Sequence, residues 1–207
     1  MPSPSRRDFR QYWVAVRAML VLTVVLGMAY PLVITVVGQV ALPAQANGSL
    51  ISIDGTPATA GTAVGSTLIG QSGSGADGSP LPEWFQPRPS AAGDGYDASA
   101  SSGSNWGPEN ADLIAAIAER KAQIAEFNGV AAADIPADAV TASASGLDPA
   151  ISPANALLQV PRVAAARGLT EAAVRALVES KITGRDLGYL GQESVNVLEL
   201  NLAVAAL

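Results

Sequence analysis

Residues 18–38 read AMLVLTVVLGMAYPLVITVVG, a stretch of 21 residues made mostly of Leu, Val, Met and Ala. At the rise of an α-helix, about 1.5 Å per residue, the stretch spans roughly 31 Å, the thickness of the hydrocarbon core of a bilayer. No charged side chain occurs between Arg17 and Asp54. The pattern predicts one transmembrane helix, to which we assign residues 18–40.

A cleaved signal peptide is the alternative interpretation of this stretch. Ala44-Gln45-Ala46 has the small-x-small pattern of a cleavage site, and cleavage after Ala46 would release a secreted module. The apolar part of a signal peptide is about 7–15 residues long, however, and this stretch is longer. We therefore favour a permanent anchor.

Charge is divided unevenly around the apolar stretch. Residues 1–17 carry a net charge of +3 and the remainder carries −9, which gives −6 for the 207-residue chain. Because Lys and Arg favour the cytoplasmic side of a membrane, and none follows the helix until Arg88, we predict a single-pass protein of the cell membrane. Its segment 1–17 would be cytoplasmic and its domain 41–207 extracytoplasmic. The acidic balance argues against a nucleic-acid-binding protein.

The chain contains neither Cys nor His, which removes several classes of catalytic and metal site. Disulfides, thiolate or histidine metal sites and Ser-His-Asp triads are excluded, and we predict no metal site. A serine hydrolase would need a lysine base, and only Lys121 and Lys181 are present, both predicted on charged helix faces. The residues 73–78 match G-x-G-x-x-G, but Pro80 and Pro82 follow where a dinucleotide site needs a helix. No catalytic constellation is evident.

The segment 41–207 mixes extended and helical patterns. Ser49–Ile53 and Ala63–Gly70 are typical of short strands and lie among loops rich in Gly, Ser and Ala. Ser194–Val204 alternates apolar and polar residues, which predicts a half-buried strand. Since no regular βαβ rhythm occurs, we predict an α+β fold: one N-terminal transmembrane helix followed by a single mixed domain.

Three helices are predicted in that domain. The first follows Pro108 and ends at Asn128-Gly129. The second begins at Ser152-Pro153, with serine as the cap and proline in the first turn, and Pro161 is expected to kink or break it. The third runs from Thr170 to about Lys181.

Five blocks of the domain combine aromatic, charged and turn-forming residues, a composition typical of binding loops. They are Trp84–Ala91, Ser102–Pro108, Val140–Pro149, Gln159–Ala164 and Val195–Asn201. In the apolar stretch, Gly27 and Pro31 offer a close-packing face and a kink, which favours a helix docked on partner helices.

From about Gly27 to Leu202, the chain resembles the C subunit of Kdp-type, ATP-driven potassium transporters. The resemblance takes in Tyr30-Pro31-Leu32, Gly65–Gln71, Arg88–Ala91, Ser145–Pro149, Gln159–Arg162 and Val195–Asn201. Several blocks in order and at fitting spacing make the resemblance specific. Two positions depart from the family's pattern: its usual Ser-Gly-Gly-Ser-Asn is Ser101-Ser102-Gly103-Ser104-Asn105 here, and a histidine often found after Leu-Asp-Pro is Ala150.

The resemblance implies a non-catalytic accessory subunit of a high-affinity potassium uptake complex. Its partners would be a channel-like potassium-translocating subunit, a P-type ATPase subunit and the lipid bilayer. In that family the subunit is described as a catalytic chaperone that raises the ATP affinity of the ATPase subunit, so ATP would be a ligand only in a complex with that subunit.

The resemblance also implies two sets of site residues. The nucleotide-binding candidates are Gln159, Ser102, Gly103 and Ser104. The partner-contact candidates are Gly27, Tyr30, Pro31, Trp84, Phe85, Arg88, Asn105, Asp148, Arg162, Asn196, Glu199 and Asn201. The predicted orientation places Gln159 outside the cell, away from cytosolic ATP, so we favour a domain that stabilises the complex by contact. A membrane-anchored or secreted binding module, and a serine-dependent enzyme, are the alternatives.

Overall fold

A computed structural model describes residues 6–207, with side chains described from Phe9 onward. The chain divides into two compact units, one ending at Ser49 and the other comprising Leu50–Leu207.

The first unit is one long apolar helix followed by a single helical turn. α1 (Arg6–Leu22), a π-helical segment (Thr23–Ala29) and α2 (Tyr30–Ala41) follow without interruption, and α3 (Pro43–Ala46) is the short turn. The 33 residues Phe9–Ala41 are long and apolar enough to cross a membrane, and they extend further toward the N-terminus than the predicted 18–40. The described residues 6–207 thus contain one candidate transmembrane helix, as predicted.

The irregularity expected at Gly27 and Pro31 takes the form of the π-helical segment. Pro31 lies in the first turn of α2 and has no N–H to donate to a carbonyl of the preceding turn. A wider π-helical turn leaves room for the proline ring, and the Thr35 hydroxyl donates to the Pro31 carbonyl at 2.8 Å. The helix therefore continues past the proline.

The second unit contains two small antiparallel sheets. β1 (Leu50–Ile51) pairs with β2 (Gly65–Ser66), within the two segments predicted to be extended. β3 (Ala150–Ile151), β4 (Ile182–Thr183) and β5 (Ser194–Asn196) form the second sheet in the order β3-β5-β4. Val195 of the central strand lies opposite both Ile151 and Ile182.

Helices supply most of the regular structure of this unit. Together with the two antiparallel sheets, they make the fold α+β, as predicted. They are α4 (Ala111–Asn128), a 3₁₀ turn (Ala132–Asp134), α5 (Ala137–Val140), α6 (Pro153–Arg167), α7 (Glu171–Ser180) and α8 (Val197–Ala205).

Local capping fixes the bounds of the three predicted helices. The Ser152 hydroxyl accepts from the Asn155 amide at the start of α6, and the Thr170 hydroxyl accepts from the Ala173 amide at the start of α7. Gly129 and Gly168 adopt left-handed conformations that end α4 and α6. These bounds confirm the sequence predictions.

The predicted strand Ser194–Val204 is wrong beyond Asn196. The Asn196 side chain accepts a hydrogen bond from the Glu199 amide at 3.1 Å and begins α8. Val197, Leu200 and Val204 are buried and lie three and four residues apart, as on one face of a helix. Leu198, Leu200 and Leu202 also occur at every second position, which fits the two-residue period of a strand. The alternating pattern therefore fits both a strand and a helix, and the Asn196 cap distinguishes the helix from the strand.

Of the kink or break predicted at Pro161, the break is wrong, because α6 runs through this residue to Arg167. A proline inside a helix costs about 3 kcal/mol through its missing hydrogen bond and its ring. Val160, Val163 and Ala164, on either side of Pro161, are buried in the main core, and their packing offsets that cost.

The main core lies between α6, α7, α8 and the second sheet, and Phe85 is its largest fully buried side chain. A smaller cluster of Ile135, Ala139 and Val140 packs against Ile117 and Ile124 of α4.

Candidate functional site

The Trp84–Ser90 segment, which contains Pro87 and Pro89 and no helix or strand, is held on the core by side-chain amides. Asn201 accepts from the Phe85 amide at 2.8 Å and donates to the Phe85 carbonyl at 3.0 Å. Gln159 does the same for Gln86, at 2.7 and 3.1 Å. Pro87 and Pro89 have no N–H, so this segment cannot form the regular hydrogen bonds of a strand. The side chains of Asn201 and Gln159 instead bind the backbone of Phe85 and Gln86, as a neighbouring strand would.

Gln159 has all four hydrogen-bonding positions of its amide engaged inside the domain. Besides Gln86, its oxygen accepts from Arg162 at 2.7 Å and its nitrogen donates to Asn155 at 3.0 Å. The residue is 3% exposed. An amide offers two donors and two oxygen lone pairs, so this side chain has no free position for a nucleotide in this conformation.

Arg162 binds the same segment through backbone carbonyls. Its guanidinium donates to the Pro82 carbonyl at 2.5 Å, to the Trp84 carbonyl at 3.0 Å and to the Asn128 side chain at 2.9 Å. It also lies 4.4 Å from the centre of the Phe127 ring. Burial lowers the pKa of Arg162 to about 10, against the opposing effect of Glu83, so the side chain stays charged at neutral pH.

A second arginine of α6 orients Trp84. Arg167 lies 4.3 Å from the centre of the indole ring and donates to the Glu83 carbonyl at 2.7 Å. Such stacking of a guanidinium on an aromatic face contributes about 0.5–1 kcal/mol where it is partly exposed. Trp84 and Phe85 thus both serve to hold the segment on the domain.

An ion pair ties the other end of the segment to the 145–150 turn. Arg88 and Asp148 are 2.8 Å apart, and Asp148 also accepts from the Ala150 amide at 3.0 Å. The Tyr96 hydroxyl donates to the Arg88 carbonyl at 2.7 Å. Burial, reinforced by the Asp148 charge, raises the pKa of Tyr96 well above its ordinary value.

A cleft of about 390 Å³ opens beside this network. Its walls come from α4, from the Trp84–Ser90 segment and from Tyr96, and they include Arg88, Arg120 and Phe127. Gln159 forms part of its floor. The exposed surface of the cleft is mostly apolar, although most of its lining residues are polar or charged. Both features occur in surfaces that bind a small molecule or a partner's side chains.

The model of the family described as KdpC, the c chain of the K⁺-transporting ATPase, matches residues 12–206. The chain belongs to this family.

Relatives named potassium-transporting ATPase KdpC subunit cover nearly the whole chain. The relative from Kineococcus radiotolerans is 52% identical over 195 residues, which is 94% of this chain and 93% of that protein. The one from Caulobacter vibrioides is 56% identical over 185 residues, 89% and 87% of the two chains. The one from Mycobacterium tuberculosis H37Rv is 50% identical over 196 residues, 94% and 97%. The resemblance seen in the motif blocks is therefore confirmed, and membership relates the chain to potassium transport by the Kdp complex.

Within this family member, the nucleotide-binding candidates do not converge. Ser102, Gly103 and Ser104 are absent from the lining of the cleft that contains Gln159. They lie against the 144–146 turn instead: the Ser102 amide donates to the Ser145 carbonyl at 2.9 Å, and a side chain at Gly103 would come within 2.8 Å of the Ala144 carbonyl. Asn105 then adopts a left-handed conformation with φ of 53°.

The remaining candidates are distributed between turns and the apolar helix. Asn196 donates to the Thr67 carbonyl at 2.8 Å, which connects β5 to the first sheet, and Glu199 follows it in the first turn of α8. Gly27, Tyr30 and Pro31 lie in or beside the π-helical segment of the first unit.

Asp138 and Asn155 belong to this network, and the sequence analysis missed both. Asp138 accepts from the Ser152 amide and hydroxyl, both at 2.8 Å, and from Asn155 at 3.1 Å. Asp138 thereby fixes the start of α6 and the asparagine that orients Gln159. Nothing in the local sequence marks an aspartate 14 residues before its partner.

In residues 6–207, no group of three or more acidic side chains forms that could hold a metal ion.

Proposed function

We propose that this chain is a non-catalytic accessory subunit that stabilises a potassium uptake complex from the extracytoplasmic side. One helix would anchor it in the bilayer, and the domain 50–207 would contact the channel-like, potassium-translocating subunit. The observation that carries this proposal is the engagement of Gln159, Arg162 and Asn201 in internal hydrogen bonds. The family blocks that contain them build a rigid surface instead of a reactive site.

Removal of the domain tests this role. We expect a chain truncated after residue 49 to insert into the membrane but to leave the channel-like and ATPase subunits in separate fractions after purification in detergent. The full chain should keep the three subunits together. An intact three-subunit complex in the presence of the truncated chain would contradict the proposal.

We further propose that any effect on the ATP affinity of the ATPase subunit is indirect. The charge distribution favours an outside position for the domain, and Gln159 has no free hydrogen-bonding position. The full chain should therefore lower the KM for ATP of the assembled complex, while the purified chain alone should not bind ATP in a calorimetric titration. Binding by the chain alone would favour direct contact.

The orientation has a simple test because the chain contains no cysteine. A cysteine introduced at Ser180, an exposed position at the end of α7, should react with a membrane-impermeant maleimide on intact cells. A cysteine introduced at Ser3 should react only after permeabilisation. The reverse pattern would contradict the orientation inferred from the charges, and a new N-terminus after Ala46 would indicate a released module.

A further inference from the structure

The loop between β4 and β5 ends in apolar side chains that the domain leaves uncovered. Leu187 is 81% exposed, Tyr189 69% and Leu190 48%. We call these residues the Leu187–Leu190 tip. Single exposed apolar residues are common on protein surfaces, but three within four positions at one loop end are typical of an interaction surface.

The backbone of the tip is held by its own hydrogen bonds. Asp186 and Leu190 exchange two, from the Asp186 amide at 3.0 Å and from the Leu190 amide at 2.9 Å, and the Tyr189 amide donates to the Asp186 carbonyl at 3.2 Å. These contacts close the loop into a tight turn. A loop ordered before binding loses little conformational freedom when it makes a contact.

Leu187 is held in a strained conformation within this turn. Its φ is 53°, in the left-handed region where the Cβ of an L-residue crowds the following carbonyl oxygen. Gly188, the next residue, has φ of 80°, which a glycine adopts without strain. Since the Leu187 side chain is almost fully exposed, packing within the domain does not account for a leucine at this position. Strain of this kind is often kept where a residue binds something.

We propose that the Leu187–Leu190 tip inserts into an apolar pocket on the extracytoplasmic surface of the channel-like, potassium-translocating subunit of the same complex. This inference rests on the proposed function, and it specifies which part of the domain makes the contact.

The size of the tip favours a partner that is already held nearby. The patch of three side chains is smaller than the roughly 800 Å² that each partner contributes to a standard stable interface. Such a contact does not by itself hold a second copy of the chain or a free protein. Only residues 42–49 separate the end of α2 from β1, so a partner bound to the membrane helix stays at a high effective concentration near the domain.

The charge around the tip favours a protein over the lipid surface. Arg185, Asp186 and Glu193 give the loop a net charge of −1, within a domain of net charge −9. Segments that insert into anionic bilayers carry an excess of Lys and Arg, because the lipid head groups attract cations. The loop has the opposite balance.

Leu187→Gly provides a sharp test, since glycine removes the side chain and relieves the left-handed backbone. In the complex purified in detergent, we expect Leu187→Gly and Tyr189→Ala each to raise the dissociation rate of this chain at least about tenfold. The melting temperature of the isolated Leu187→Gly chain should be equal to or above that of the wild type. Ile114→Ala, which removes a side chain 56% exposed on α4, is the matched control and should leave the dissociation rate unchanged.

Crosslinking identifies the occupant. A photoreactive phenylalanine analogue at Tyr189 should crosslink to the channel-like subunit in the purified complex, and the same probe at Ile114 should not. Crosslinks between two copies of this chain, or tip-dependent binding of the isolated chain to phosphatidylglycerol vesicles, would overturn the assignment. Wild-type dissociation rates for both tip variants would also overturn it while leaving the proposed function intact. Failure of the wild-type chain to stay with its partners would instead contradict the proposed function itself.

Discussion

Gln159 accepts a hydrogen bond from the guanidinium of Arg162 at 2.7 Å, and both side chains bind the backbone of the Trp84–Ser90 segment or the residues just before it. The two residues are one turn apart on α6. Together with Asn201 of α8, they attach a proline-rich segment, which cannot form a regular strand, to the helical core. This arrangement makes the stability of the domain depend on a few amide and guanidinium groups.

Gln159→Ala should destabilise the domain even without any nucleotide or partner. The substitution removes the partner of the Gln86 amide and carbonyl, of the Asn155 side-chain oxygen and of one guanidinium nitrogen of Arg162. We expect a loss of about 2–4 kcal/mol in the free energy of unfolding. Chemical denaturation of the purified chain in detergent measures it. Gln123→Ala, at an exposed position of α4, should cost less than about 0.5 kcal/mol. Equal stability of the two variants would show that the network is not structural.

Arg162→Lys should also be destabilising although it keeps the charge. A lysine ammonium does not reproduce the planar fork that reaches Pro82, Trp84, Asn128 and Gln159, and it loses the stacking on Phe127. We expect a loss of about 2–3 kcal/mol, measured in the same denaturation experiment. Arg175→Lys, on the exposed face of α7, is the control and should be neutral. A neutral Arg162→Lys would mean that charge alone is sufficient.

Leu200→Ala and Leu202→Ala should differ strongly. In the helix α8, Leu200 is fully buried in the main core and Leu202 is only half-buried, whereas a strand would direct both to the same face. We expect Leu200→Ala to cost about 2–5 kcal/mol by leaving a cavity, and Leu202→Ala clearly less. Equal losses in thermal or chemical unfolding would support the strand instead.

Tyr96 should make the stability of the domain fall at alkaline pH. Its pKa is raised in the folded state, so above its unfolded value of about 10 the unfolded chain loses the phenolic proton first. The contribution of Tyr96 is fully present below pH 10 and decreases as the pH rises beyond it. Tyr96→Phe should cost about 1 kcal/mol at pH 8, through the hydrogen bond to Arg88, and should lose less stability than the wild type between pH 9 and 11. Parallel pH profiles of the two chains would contradict this cause.

Local signals in the sequence were sufficient for much of the fold. The apolar stretch, the Ser152 cap with Pro153, and the glycines at 129 and 168 each act on neighbouring residues, so their consequences are readable along the chain. The predictions for Ser194–Val204 and for Pro161 were wrong because the structure of both segments depends on packing between residues that are distant in the sequence. Alternating leucines fit two periods at once, and only the packing of α6 against the core explains a helix that continues through proline.

The candidate membrane helix, the charge asymmetry, the absence of cysteine and histidine chemistry and the family blocks are all readable along the chain, because each is a property of composition or of short, ordered patterns. What those blocks do depends on contacts that form only in the folded domain. Gln159 lies 73 residues from the backbone that it binds, and Asn201 lies 116 residues from its own. Whether a buried amide holds the fold or faces a ligand depends on which groups fill its hydrogen-bonding positions, and those groups come together only when the chain folds.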